Sequence, residues 1–342
     1  MEKINIIEKV IQASKINLDE NLEQPPVAIM INSEHEQVPA LSLGNFSMVI
    51  GKAKSKKTFF IGALTAAAIS GKLILNRILG TLPSNKKNVL YFDTEQGKFH
   101  VVKSVRRILT LSGYDFKGNL TAFSLRRYSP EIRLDVIERV INECDDIGIV
   151  IIDGGRDLLS LGINDEKQAT DLTNRFLRWT DENQIHIIVA LHQNKNDTNA
   201  RGHFGTECIN KAEMTISLTE APSNKDISIV RCELSRGISF DNFAFRINID
   251  GIPEFCRLPS FSISRRIQTL PELIDINQHE EFLMKVFEVD SYLSYSNLAN
   301  TLKKVVTEEY ANIGMNRAKE FIQFYLGKGM IIKDALGYKR MV

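Results

Sequence analysis

The residues best able to do chemistry lie in the segment VIGKAKSKKTFFIGALTAAAISG. Gly51, Lys57 and Thr58 there have the spacing G-x-x-x-x-G-K-[ST], with Lys56 standing where a second glycine belongs. Triphosphate chemistry asks for this layout. A turn at a helix N-terminus lets backbone N–H groups surround the phosphates, the lysine reaches the β and γ oxygens, and the threonine ligates Mg²⁺. The expected nucleotide cradle is therefore Gly51, Lys52, Ala53, Lys54, Ser55, Lys56, Lys57, Thr58 and Phe59. A side chain at position 56 must point away from the nucleotide. The bland alternative is a solvated, lysine-rich loop before a helix. Lys52 falls where partition-type ATPases carry a signature lysine, but their two following glycines are Ala53 and Lys54 here.

Two carboxylates decide between these readings. NVLYFDTEQG sets Glu95 just past the end of an apolar run, and IGIVIIDGG ends an uninterrupted apolar run on Asp153. A triphosphatase needs one carboxylate behind its Mg²⁺ and another to polarise the attacking water. Asp153, together with Thr58, suits the metal role, and Glu95 suits the water role. With the lysine loop first and these two following in order, the chain is expected to bind and hydrolyse a nucleoside triphosphate, with ATP and Mg²⁺ as its cofactors.

The elements that must hold these groups follow from hydrophobic patterning. Apolar runs at 46–51, 88–93, 147–153, 185–191, 212–218 and 226–234 alternate with helical patterns at 57–70, 98–112, 130–145 and 167–183. Such alternation predicts a mainly parallel sheet covered by helices on both faces, an α/β core over 41–258, with the last runs as antiparallel edge strands. Residues 1–40 read as an amphipathic helix (Ile4, Ile7, Val10, Ile11) and a polar arm, and 259–279 as a linker. Residues 280–342 read as helices at 280–289, 295–305 and 314–326, then short strands at 329–333 and 338–342, the pattern of a small winged-helix domain.

Composition narrows the partners. Lys and Arg number 43 against 42 Asp and Glu, a net charge of +1, so any nucleic-acid contact must come from local clusters. The four cysteines (Cys144, Cys208, Cys232, Cys256) form no CxxC pair, which argues against a disulfide framework and a zinc knuckle. The first twenty residues carry charges throughout, unlike a signal peptide, and no run approaches the ~18 apolar residues of a membrane span. The expectation is a cytoplasmic protein with no membrane partner.

GNFSMVIGKAKSKKTFF, VLYFDTEQ, VIIDGGRDLL and LHQNKNDTNARGHFGTE together resemble the RecA-like P-loop ATPase core, and within it the RepA-like hexameric helicases of plasmids and mobile elements. The resemblance covers about residues 40–250. It implies that His192 or Gln193, after IHIIVAL, senses the γ-phosphate. It also implies that the loop 194–207 faces single-stranded DNA, through Asn194, Lys195, Asn196, Arg201 and His203, with Phe204 as its one stacking ring. The loop after Asp153, with Arg156, is a second candidate. Arg236 is the expected finger that reaches a neighbouring subunit's γ-phosphate, which implies a homo-oligomer, with a hexamer favoured. In the winged helix, Asn316, Arg317, Lys319 and Gln323 would face duplex DNA, with Lys333, Lys339 and Arg340 on the wing. The resulting expectation is a DNA-associated ATPase that translocates on single-stranded DNA during replication or transfer of a mobile element. A loader or regulator switched by ATP without unwinding, and an assembly protein whose winged helix binds protein, are the alternatives.

Overall fold

The computed structural model describes residues 2–17, 19, 21, 23–34, 36–193, 202–222, 224–259 and 269–341, with side chains from residue 6 onward. The chain divides into two compact units at Pro259/Ser260. In the first unit, helix α1 (Glu2–Ser14), β1 (Val27–Asn32) and β2 (Gln37–Ser42) precede β3 (Phe46–Gly51) and α2 (Lys57–Ser70). Next come β4 (Leu73–Ile74), β5 (Ile78–Gly80), β6 (Asn88–Asp93), α3 (Lys98–Ser112), β7 (Leu120–Ser124) and α4 (Pro130–Glu143). They are followed by β8 (Ile147–Asp153), α5 (Glu166–Asn183), β9 (His186–His192) and α6 (Gly202–Lys211). The unit ends in β10 (Met214–Ala221), β11 (Asn224–Ser235), β12 (Phe243–Ile247) and β13 (Pro253–Cys256).

Among the described residues a nine-stranded sheet runs β13-β12-β11-β10-β3-β9-β8-β6-β7. Strands β10, β3, β9, β8, β6 and β7 are parallel, and β11 to β13 are antiparallel additions. Every residue of β8 is buried. Its side chains alternate between faces, with Ile149 and Ile151 in the core under α2 and α3. Val150 and Ile152 lie in the core under α4, α5 and α6. Burial on both faces is why these runs are uninterruptedly apolar in the sequence.

Parallel register also gathers the chemistry. Gly51 pairs with His192, and Asp93 with Asp153, so residues far apart in the chain share one edge of the sheet. β10 lies parallel to β3 rather than joining the antiparallel edge, because α6 precedes it and returns the chain to the other end of the sheet.

The segment read as a polar arm holds part of the core. β1 and β2 join β5 and β4 in a second sheet, β2-β1-β5-β4, that covers the outer side of α2. Helix α2 is thereby buried on all sides from Phe60 to Ile69, as its nearly all-apolar sequence requires. By contrast α1 leaves Ile6, Ile7, Val10 and Ile11 exposed.

The second unit contains α7 (Ile276–Val286), α8 (Tyr295–Glu309), α9 (Met315–Gly327), β14 (Ile331–Asp334) and β15 (Gly337–Arg340). Asp275 and Ser294 cap α7 and α8, and a bridge joins Leu293 to Tyr338 beside the β14–β15 pair. Helix α7 begins inside the stretch read as linker. Its His279 is buried and hydrogen-bonds the Tyr325 hydroxyl at 3.0 Å and the Pro271 carbonyl at 2.9 Å. Residues 260–268 of that linker lie outside the described residues. No described helix is long and apolar enough to cross a membrane.

Gly80 marks the tightest approach of the small sheet to α2, since a Cβ there would lie 1.9 Å from the Ala67 carbonyl oxygen. Backbone on both sides leaves no side chain to yield. Gly80→Ala should therefore destabilise the core by about 1–3 kcal/mol, the usual range for overpacking. Urea unfolding checks this, and an unchanged midpoint would contradict the contact.

Candidate nucleotide-binding site

The loop between β3 and α2 is held in a shape that its own sequence resists. Lys54 and Lys56 sit in the left-handed region, with φ of 70° and 66°. Such a backbone costs roughly 1–2 kcal/mol per non-glycine residue. At Gly51 the need for glycine is steric, because a Cβ would meet Ser55 Oγ at 2.4 Å and the Leu218 carbonyl at 2.7 Å. The β10–β11 hairpin braces the loop. The Lys56 ammonium donates to the Lys225 carbonyl at 2.7 Å, and the Ser228 hydroxyl donates to the Ser55 carbonyl at 3.2 Å.

Lys57 opens α2, and its ammonium turns back to the Gly51 carbonyl (2.8 Å), the Lys52 carbonyl (3.2 Å) and His192 Nδ1 (3.1 Å). Burial lowers its pKa, against the opposing pull of the Glu95 and Asp153 charges. An ammonium can only donate, so His192 Nδ1 accepts and its Nε2 carries the ring proton. That Nε2 lies 3.5 Å from Glu95 Oε1. The Glu95 carboxyl is held below its usual range by the His192 hydrogen bond first, with the Lys57 and Arg156 charges adding to it, against its burial. A continuous polar chain, Lys57–His192–Glu95, thus crosses the sheet edge. Gln193 is buried beside it, and its backbone N–H donates to the Gly51 carbonyl at 3.1 Å.

Asp93 shapes the turn that presents Glu95. Its Oδ1 accepts the N–H groups of Glu95 (3.0 Å) and Gln96 (2.7 Å), and its Oδ2 accepts Gln96 Nε2 (2.9 Å). Burial pushes its carboxyl up to about 6. Asp153, wholly enclosed, accepts the Tyr91 hydroxyl at 2.8 Å and shares a hydrogen bond with the Thr58 hydroxyl. Burial raises its pKa, and those two bonds oppose the shift.

A cavity of about 390 Å³ opens beside Lys57, Glu95, Asp153 and His192, and its far wall is Gln96 with helix α3, which presents His100, Lys103 and Arg107. Sequence reading missed that wall. Its signal was the recurrence of polar side chains at spacings of four, three and four beside the buried Val101 and Ile108. The Arg107 guanidinium stacks 3.8 Å from the Phe59 ring centroid and donates from Nε to the Gly251 carbonyl at 2.9 Å.

The remaining expected residues are scattered. Lys52 and Ala53 are exposed at the loop's outer side. Asn194, Lys195, Asn196 and Arg201 lie outside the described residues. His203 is exposed on α6, 3.7 Å from Glu166 Oε1. Phe204 offers no stacking surface: it is fully buried on the apolar side of α6 against Phe176, which corrects the expectation for it. Arg156 is exposed after β8, 3.9 Å from Asp157. Arg236 follows β11 beyond the Phe46 end of β3, the end of the sheet opposite Gly51, and donates to the Lys211 carbonyl at 2.8 Å. In the second unit Lys319, Asn316 and Gln323 are exposed on α9. Arg317 is largely covered and paired with Glu320, which departs from the exposed placement expected of it.

The donor set fits a triphosphate with Mg²⁺. Thr58 and Asp153 place two oxygen ligands side by side, the kind of donors Mg²⁺ takes. Ser55 Oγ, buried in the loop, has no hydrogen-bond partner among the described residues. A family model described as an AAA domain matches residues 23–198, about half of the chain. The chain belongs to this AAA family. As an AAA domain, the core is an ATP-binding ATPase domain. No curated protein matches the chain. Among solved structures, the crystal structure of the RadB recombinase is similar, with 18% identity, 64% of this chain and 93% of that chain covered, and a TM-score of 0.45.

The strained loop of this AAA domain gives a test. Lys56→Gly removes the left-handed penalty at the cost of one half-exposed hydrogen bond. It should raise stability by about 1 kcal/mol. A thermal melt reads this directly, and a lowered midpoint would show that the Lys56–Lys225 link outweighs the backbone strain.

Proposed function

We propose that this AAA domain is a RecA-like, DNA-associated ATPase of the hexameric-helicase type, acting as a homo-oligomer. The observation that carries the reading is the Lys57–His192–Glu95 chain at the sheet edge. It joins the phosphate-binding lysine to the water-activating carboxylate through one ring. The order of parallel strands supports the RecA-like part, since β9, which carries His192, lies between the loop strand β3 and the acidic strand β8.

In this reading the N–H groups of residues 51–59 and the Lys57 ammonium hold the phosphates. Thr58 and Asp153 hold Mg²⁺, which when bound neutralises phosphate charge. Glu95 takes a proton from the attacking water, on a turn kept rigid by Asp93. Lys57 leaves the Gly51 and Lys52 carbonyls for the phosphates, which frees His192 Nδ1. His192 therefore fits the sensor role better than Gln193, whose position is fixed through its backbone. The Phe59–Arg107 stack offers a flat wall for the base.

Arg236 cannot serve its own site, because β11 carries it to the other end of the sheet. The distance suits a neighbour's site, and with it a ring. The segment 194–207, of which 202–207 begin α6 rather than a loop, is the proposed single-strand contact. The second unit has the element order of a winged helix, and the Leu293–Tyr338 bridge supplies its third short strand. Lys319, Asn316 and Gln323 would face DNA there. The cellular role we infer is replication or transfer of a mobile element.

Steady-state ATPase with and without single-stranded DNA, alongside mass by light scattering, tests the reading. Lys57→Ala should abolish turnover. Glu95→Gln should keep ATP binding and lose at least about 10²-fold in rate, the usual size of a general-base contribution. Full turnover in Glu95→Gln would sink the water-activating role. Arg236→Ala should also be inactive, yet mixing it with Glu95→Gln subunits should restore activity, since each supplies what the other lacks. Failure of the mixture to recover would remove Arg236 from the shared site.

A further inference from the structure

Beside the nucleotide cavity, on the same edge of the sheet, lies an open hollow of about 560 Å³ that the reading above leaves unused. Gly97, Lys98, Phe123, Arg126, Arg127 and Tyr128 line it. Arg126 and Arg127 follow β7, and Lys98 opens α3. The side chains of Lys98, Arg126 and Arg127 are exposed, and none has an ion-pair partner among the described residues. The acid nearest Arg126 and Arg127 in sequence, Glu131, is engaged by Ser129, Ser160 and its own backbone N–H. Tyr128, 43% exposed, lines the hollow with the cations, and Phe99, 76% exposed, follows Lys98 in the first turn of α3. In a chain whose net charge is only +1, an unpaired basic cluster with open rings is a local exception.

We propose that this hollow binds single-stranded nucleic acid and passes that binding to the ATPase site. Neighbouring cations take successive phosphates, and exposed rings stack on unpaired bases, a combination that ordinary anion sites do not need. The N-terminus of α3, whose Gly97 and Lys98 line the hollow, adds to its positive potential. Coupling runs through one short turn. Lys98 lies three residues after Glu95, and Arg126 Nη1 lies 3.9 Å from where a Cβ on Gly97 would stand. A strand held by Lys98 and Arg126 bears on the turn that Asp93 fixes, and so on the aim of Glu95. This inference rests on the core being a DNA-associated ATPase, but it assigns the contact to a surface other than the segment 194–207.

The test is fluorescence anisotropy of a labelled oligothymidylate on the full chain with ATP and Mg²⁺, at two salt concentrations, with ATPase measured in parallel. Arg126→Ala/Arg127→Ala should bind at least tenfold more weakly, and its salt slope should fall by about 1.4, since each single-strand phosphate contact contributes about 0.7. Phe99→Ala/Tyr128→Ala should weaken binding with the slope unchanged. Both variants should melt like the parent and keep basal ATPase, because none of these side chains reaches the nucleotide cavity. Both should lose stimulation by the oligonucleotide. Parental affinity and slope in the arginine variant would overturn the proposal. So would a parent that binds no oligonucleotide while showing Lys57-dependent ATPase, an outcome that leaves the ATPase reading standing. Absent Lys57-dependent ATPase with intact, arginine-dependent strand binding would instead overturn that reading and keep the surface. Equal weakening toward polyglutamate would reassign the hollow to an acidic protein and overturn it as well.

Discussion

The Lys57 ammonium is the group on which the rest of the site depends. A largely buried cation is unfavourable unless carbonyls and opposite charges surround it. Here the Gly51 and Lys52 carbonyls, the His192 ring and the charges of Glu95 and Asp153 supply that surrounding. None of these could converge without parallel strands in the observed register. Pairing Gly51 with His192 and Asp93 with Asp153 is therefore an electrostatic requirement as much as a packing one. One residue of slip in β9 would turn His192 to the other face of the sheet.

The phosphate loop shows what the surrounding fold must withstand. Two lysines hold left-handed backbone where glycine would be relaxed, and that strain persists only because both ends of the loop are fixed. On one side β3 is central in the sheet. On the other, α2 is gripped between the large sheet and the small one, so its first turn cannot shift to relieve Lys56. The hairpin carrying Lys225 and Ser228 closes the remaining direction. The small β1-β2-β4-β5 sheet, remote from the chemistry, thus contributes to it by holding α2 in place.

Much of this was legible in the sequence because the signals were local and strong. The buried parallel strands announce themselves as continuous apolar runs, and Glu95 and Asp153 sit at their ends. Gly51, Lys57 and Thr58 announce a loop before a helix. What stayed hidden depended on tertiary context. β1 and β2 looked like an arm because VAIMIN and QVPALS are short and divided by polar residues, and only the apolar outer face of α2 explains their burial. The wall formed by His100, Lys103 and Arg107 looks like an ordinary solvated helix face until the cavity beside it is known. Phe204 looked available because it sits in a polar stretch, whereas α6 turns it into the core beside Phe176. The choice between His192 and Gln193 could not be made from types alone; the structure adds that the end of β9 brings the His192 ring to Lys57.

The placement of Arg236 carries the last step. β11 is antiparallel to β10, so its end lies near the Phe46 end of β3, about 17 Å along the strand from Gly51 at ~3.3 Å per residue. A side chain cannot cover that distance, and the guanidinium rests on its own chain's Lys211 carbonyl. One subunit thus presents phosphate-binding groups at one edge of its sheet and an exposed arginine at the other. In the proposed homo-oligomer these two edges would meet head to tail. A head-to-tail contact either closes into a ring or continues as a filament. If Arg236 acts in catalysis at all, hydrolysis is a property of the contact between subunits, and assembly becomes the condition under which this ATPase can fire.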